Sequence, residues 1–150
     1  MDEAVRLRHV TAKNWRAVAR LELDPSQEGL VAPNLYSIAQ SKFDPNAHPR
    51  GVYAGKELVG FLMYDVWDEK DGTREASIYR FMIDRKHQRK GYGRAALTLA
   101  LTEIKAVPGI RKISIGYMPD NPVARPFYAS FGFVETGTDE DGEINAELAL

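Results

Sequence analysis

The run Ile83-Asp84-Arg85-Lys86-His87-Gln88-Arg89-Lys90-Gly91-Tyr92-Gly93-Arg94 constrains the fold of this chain more than any other stretch. An apolar, β-prone segment from Ile78 to Ile83 enters it. An apolar-periodic segment (Ala95, Ala96, Leu97, Leu99, Ala100, Leu101, Ile104) leaves it. The order is therefore strand, basic glycine-containing loop, helix. A loop that opens a helix presents unpaired backbone N–H groups and the positive end of the helix dipole, together an anion site. Gly91 and Gly93 carry no Cβ, so a diphosphate can come close to the backbone. Arg85, Lys86, Arg89, Lys90 and Arg94 add positive charge, with no acid after Asp84.

Two nucleotide-loop patterns can be tested against this run. Gly-x-x-x-x-Gly-Lys-Ser/Thr does not occur. Gly-x-Gly-x-x-Gly would put Ala96 in its third position, which that pattern tolerates, but it does not call for Gln88-Arg89-Lys90 ahead of the glycines. On the two glycines alone, a solvated basic loop is an equal alternative.

At 150 residues the expectation is one domain spanning 1–150, long enough to bury a real core. Hydrophobic content of 44% and charged content of 27% describe an ordinary globular chain. A net charge of −1 gives no global basic field, so no nucleic-acid partner is expected. Cysteine is absent, which excludes disulfides, thiolate metal sites and a cysteine nucleophile, and fits a reducing, cytoplasmic setting. Met1 to Arg6 is too charged for a signal peptide. No window approaches 18 apolar residues, so no membrane partner is expected.

Charge is spread unevenly. Asp65, Asp68, Glu69, Asp71 and Glu75 outweigh Lys70 and Arg74, and Glu135, Asp139, Glu140, Asp141, Glu143 and Glu147 meet no base. Solubilising turns would explain these acids. The functional alternative is a bipolar site, cationic for an anionic cofactor and acidic for a cationic substrate.

Taken in order, Val5 to Val10 reads as a strand, and Thr11 can cap a helix that buries Trp15, Val18, Ala19 and Leu21. Gln27 to Pro33 reads as a loop, Asn34 to Phe43 as a helix and Asp44 to Pro49 as a break. Val52 to Trp67 reads as a hairpin and Glu75 to Ile83 as the strand entering the basic loop. A helix from about Tyr92 to Ala106, a strand from Lys112 to Tyr117, and a helix with Asn121 as N-cap and Pro122 in its first position follow. That helix runs to about Phe131, and Gly132 closes it. Phe133 to Thr136 and Ile144 to Leu150 are the last strands. This β-αα-βββ-α-β-α-ββ order argues an α/β (α+β) fold with an antiparallel meander and a later parallel pair.

Gln88-x-x-Gly91-x-Gly93 resembles the acyl-CoA pyrophosphate loop of the GNAT (Gcn5-related N-acetyltransferase) family. Asn121-Pro122-Val123-Ala124-Arg125-Pro126-Phe127-Tyr128, followed by Phe131-Gly132-Phe133, resembles a second segment of that family. Gln27 to Ala39, Tyr79 to Asp84 and Gly142-Glu143 are similar to its bacterial diamine and spermine/spermidine N-acetyltransferase branch. Leu30 stands there in place of an expected aromatic. The resemblance implies a mixed sheet of about seven strands, splayed at the acyl-CoA site and flanked by about four helices. It implies acetyl-CoA as co-substrate and no metal. The cofactor would lie on the backbone of Phe81, Met82 and Ile83, with its diphosphate on Gln88, Arg89, Lys90, Gly91, Gly93 and Arg94. Tyr92 and Asn121 would belong to the same site.

The resemblance also makes Tyr128 the general acid that protonates the leaving thiolate, either during C–S cleavage or with its pKa lowered by the basic loop. A core aromatic is the plain alternative for Tyr128, and a helix cap for Asn121. A polyamine nitrogen arrives protonated, with a pKa near ~10.4, and carboxylates would recognise it. Glu28 is the leading substrate contact, with Asp65 and Glu75 behind it. His9, His48 and His87 are scattered and offer no evident base, so a water chain ending on an acid is expected to take the proton. An acetyltransferase for another amine, such as a drug or a protein N-terminus, and a sensor without turnover remain open, as does a homodimer.

Overall fold

The structure, a computed structural model, describes residues 4–25 and 33–150. β1 (Val5–His9) leads to a short helix α1 (Trp15–Ala19) and to α2 (Asn34–Ser41). β2 (Ala47–Ala54), β3 (Glu57–Asp68) and β4 (Arg74–Ile83) form an antiparallel meander. A single 3₁₀ turn (Arg85–His87) joins β4 to α3 (Tyr92–Lys105). β5 (Ile110–Tyr117), α4 (Ala124–Ala129), β6 (Val134–Thr138) and β7 (Ile144–Ala149) complete the chain. All seven strands share one sheet in the order β1-β2-β3-β4-β5-β7-β6, with β4 and β5 parallel and every other neighbouring pair antiparallel. This is the mixed sheet that the strand order and the family resemblance both led us to expect.

Helix α3 forms because Ala96, Leu97, Ala100, Leu101 and Ile104 fall on one stripe, and all five are buried against the sheet. The two alanines let the helix lie close. Burying Leu97 and Ile104 completely contributes about 1.5–3 kcal/mol each. On the other face, α1 and α2 cover a smaller cluster of Val18, Ile38, Phe61, Met63 and Met82.

Two boundaries differ from the expectation. The Asp44–Pro49 break is only partly a break, because β2 already begins at Ala47 and contains Pro49. β1 stops pairing at Arg50, so on that side the proline nitrogen needs no acceptor, and an edge position tolerates it. Helix α4 starts at Ala124 and ends at Ala129, inside the expected span. Gly132, with φ +98, turns the chain into β6.

The β4–β5 ladder runs from Arg74↔Ile110 to Ile78↔Ile115 and stops, although β4 continues to Ile83 and β5 to Tyr117. At that point Tyr79 is an extra residue on β4: Tyr64 pairs Ile78 while Met63 pairs Arg80. Such a bulge bends a strand, and beside it β4 and β5 part and a cleft opens between them.

Candidate active site

The cleft encloses about 500 Å³. Its walls come from the ends of β4 and β5, the loop before α3, and α4. Of the residues expected in the cofactor site, Phe81, Met82, Ile83, Gln88, Arg89, Gly91, Tyr92, Gly93, Asn121 and Tyr128 line it, whereas Lys90 and Arg94 do not.

The loop is held from below. Asp84 is buried, and its carboxylate accepts N–H bonds from Lys86 (3.0 Å) and Glu22 (2.9 Å). The Gln88 side chain donates to the Ile83 carbonyl at 3.0 Å. The chain then turns through two left-handed residues, Arg89 (φ 64) and Gly91 (φ 83), the second being the N-cap of α3. The N–H groups of Gly91, Tyr92, Gly93 and Arg94 have no acceptor among the described residues. A Cβ built on Gly91 would meet nothing within 4 Å. Converging unpaired N–H groups, open space and the positive end of a helix are what a diphosphate needs. The Arg94 guanidinium is committed elsewhere. It lies over the rings of Phe127 (5.4 Å) and Phe131 (4.8 Å) and donates to Ser130 Oγ at 2.9 Å, clamping α3 to α4.

Asn121 Oδ1 accepts from the N–H groups of Val123 and Ala124, both at 3.2 Å. It therefore caps α4 from outside the helix, with Pro122 also outside. Tyr128 packs edge-on to Phe127 (5.2 Å) and Phe133 (6.0 Å) and stacks on Tyr117 (5.7 Å). Its hydroxyl has no hydrogen-bond partner among the described residues and faces the cleft. Burial, and secondarily Tyr117, pushes its pKa up to about 12. The basic loop does not lower it. Of the two ways the phenol could serve as an acid, only proton donation during C–S cleavage fits this state.

The expected substrate acids are scattered. Glu28 lies outside the described residues. Asp65 is not in the cleft wall. Its Oδ1 accepts from the Tyr79 hydroxyl at 2.8 Å, and Tyr79 is the residue that lines the cleft. Burial raises the Asp65 pKa, and the neighbouring Asp44 carboxyl acts in the same direction. Glu75 is not brought to the cleft at all. It is buried near the start of β4, 2.6 Å from Arg111 Nη2 and 3.3 Å from Lys112 Nζ. Arg111, then Lys112, holds its carboxyl below the ordinary value of 4.5. Its charge is already matched by two cations, which removes it as a substrate contact. A second groove, lined by His48, Trp67, Arg74 and Glu103, contains none of the expected site residues.

Glu143 and Tyr117 are not among the expected site residues. Glu143 lines the cleft from the start of β7, and Tyr117 supports the Tyr128 ring. The signals available for Glu143 were the acid-only C-terminal segment and the Gly142-Glu143 resemblance. Among the described residues no group of three or more His, Cys, Asp or Glu is arranged to hold a metal ion. No described helix is long and apolar enough to cross a membrane.

The profile of the Acetyltransferase (GNAT) family matches residues 15–133. The spermine/spermidine N(1)-acetyltransferase of Bacillus subtilis is 26% identical over 144 residues, covering 93% of this chain and 95% of that protein. The structure of an acetyltransferase from Thermus thermophilus superposes over 100% of both chains with a TM-score of 0.81 at 22% identity. That of a Vibrio cholerae spermidine N-acetyltransferase with CoA and spermine gives 0.77 at 20% identity, over 97% of this chain and 95% of the other.

Proposed function

Because the chain belongs to the Acetyltransferase (GNAT) family, we propose that it transfers the acetyl group of acetyl-CoA to a primary amine of a polyamine. Acetyl-CoA is the co-substrate, and the residues present fit it. The unpaired N–H groups from Gly91 to Arg94 suit its diphosphate. The edge of β4 at Phe81, Met82 and Ile83, which no longer pairs with β5, suits its pantetheine amides. Bound acetyl-CoA supplies an activated thioester carbonyl. The chain's own part is to hold that group between β4 and β5, to admit an amine from the other end of the cleft, and to donate a proton from Tyr128 to the departing sulfur.

One observation carries the polyamine reading: the charge inside the cleft is split. Arg89 of the basic loop lines it, while Glu143 adds a carboxylate to its wall, with Asp139 and Asp141 close enough to perturb it and Arg80 of the same wall opposing them. An acceptor with several ammonium groups complements that carboxylate. The similarity to the B. subtilis spermine/spermidine enzyme supports the same reading. The test is a steady-state panel with acetyl-CoA and spermidine, spermine, putrescine, a monoamine of matched length with an uncharged tail, and a peptide with a free N-terminus. A kcat/KM at least tenfold higher for the polyamines is expected. Equal values for spermidine and the uncharged-tail amine would refute the polyamine assignment and leave the acetyltransferase one standing.

A further inference from the structure

An ammonium cannot attack a carbonyl, because its lone pair is occupied by a proton. The site described so far has an acid in Tyr128 and no base. Glu143 is placed to be that base. In the β5–β7 register, Gly116 pairs with Asn145 and Tyr117 with Ile144. Successive residues of a strand point to opposite faces. The Tyr117 ring points to the face where Tyr128 stacks on it. Gly116 opens on the other face, and there the Glu143 carboxylate lies: a Cβ on Gly116 would stand 3.2 Å from Glu143 Oε2. Glu143 and Tyr128 therefore flank the end of β5 from opposite sides, and both line the cleft.

The turn that carries Glu143 is built. Asp139 Oδ1 accepts from the N–H groups of Asp141 and Glu143, both at 2.9 Å, and the Asp139 N–H donates to the Glu143 carbonyl at 2.9 Å. Asp139 is thereby committed to holding the turn. The Glu143 side chain makes no hydrogen bond or ion pair with the described residues. The cation that acts on it is Arg80 of β4, which lines the same cleft and is tied to α2 and its own strand: Nε donates to Ser37 Oγ (3.1 Å) and Nη1 to the Tyr79 carbonyl (3.0 Å). A half-buried carboxylate that forms no ion pair with the described residues, in the wall of the cleft, is complementary to an ammonium.

We propose that Glu143 takes the proton from the acceptor's ammonium, on the side of β5 opposite Tyr128. This rests on the acetyltransferase reading above. The balance closes. One N–H proton passes to Glu143, the freed lone pair forms the N–C bond to the acetyl carbon, and the C–S bond breaks. The sulfur takes the Tyr128 proton, the second proton lost by nitrogen restores Tyr128, and Glu143 releases its proton to solvent. Burial first, then Asp139 and Asp141, raises the Glu143 pKa above 4.5, with Arg80 opposing and Asn145 neutral beside it. A raised pKa makes the carboxylate a better proton acceptor.

The test compares the parent with Glu143→Gln and Glu143→Asp, with spermidine as acceptor, across pH 5–10. Acetyl-CoA affinity is measured separately by calorimetry. Glu143→Gln should bind acetyl-CoA within twofold of the parent and lose ~10²–10⁴ in kcat near neutral pH. The deficit should shrink about tenfold per pH unit as free amine accumulates toward its own pKa of ~10.4. Glu143→Asp should keep the parent's profile shape at reduced kcat, and it serves if the Gln variant fails to fold. Several outcomes overturn the inference: a kcat within threefold of the parent, a rise in KM alone with an unchanged pH profile, or a deficit equal at every pH. A parent protein that binds no acetyl-CoA would instead overturn the acetyltransferase reading, and this inference with it.

Discussion

Tyr128→Phe isolates one hydroxyl. The ring contacts with Tyr117, Phe127 and Phe133 remain, and the hydroxyl has no partner among the described residues to orphan. Stability should therefore change by no more than about 0.5 kcal/mol. Acetyl-CoA affinity should hold within about threefold. The chemical step is where the loss falls. With the phenol at about 12 and a thiol near ~8.5, stepwise proton transfer is uphill by roughly 5 kcal/mol, so donation must accompany C–S cleavage. General acid assistance of that kind is worth ~10²–10⁴ in rate, or about 2.7–5.5 kcal/mol. The assay is thiol release under saturating acetyl-CoA and amine, with a pre-steady-state burst measurement to establish that chemistry limits the rate. Because the acid form must persist, the parent's kcat should show no alkaline fall up to about pH 10. A Phe variant within about threefold of the parent, with chemistry limiting, would remove Tyr128 from the mechanism. A falling alkaline limb near neutral pH would refute the raised pKa.

Other perturbations separate binding from folding. Gly91→Glu should weaken acetyl-CoA binding at least tenfold; Gly72→Ala, at a turn of the same left-handed φ (+87 against +83) with equally open space, should share its backbone strain and leave that affinity unchanged. Asn121→Asp keeps the oxygen that caps α4, so melting should be near the parent's while acetyl-CoA binding weakens beside the new negative charge. Unchanged affinity by calorimetry would leave Asn121 a cap only. Glu75→Gln should cost about 1.5–3 kcal/mol in a denaturant titration with kcat and KM unaffected. Because the folded pKa of Glu75 is depressed, that contribution is present above 4.5 and lost as pH falls through the lower folded value, so the two proteins should converge in acid. Glu28→Gln should raise KM for spermidine and leave KM for acetyl-CoA nearly fixed; a panel in which neither moves would remove Glu28 from the acceptor site.

The sequence by itself determined the parts of this protein whose causes are local. The apolar stripe of α3, the glycine at its start and the basic run before it lie within a turn or two of one another, so residue order alone implies the strand, anion loop and helix. The cap on α4 is equally local, since Asn121 reaches only to Val123 and Ala124. What the tertiary structure decided depends on register between segments far apart in the chain. Glu75 is an acid like any other until the β4–β5 pairing sets it against Lys112 and Arg111. Arg94 belongs to the basic run in sequence, yet α4 packs Phe127 and Phe131 beneath its guanidinium. Glu143 gains its place only because β7 lies beside β5 with the side-chain-free Gly116 next to it. The cleft opens where the parallel β4–β5 ladder ends, beside the one-residue bulge at Tyr79 in the β3–β4 pairing. A one-residue change of register moves a side chain to the other face of a sheet, and no local pattern of residue types encodes which register two distant strands adopt.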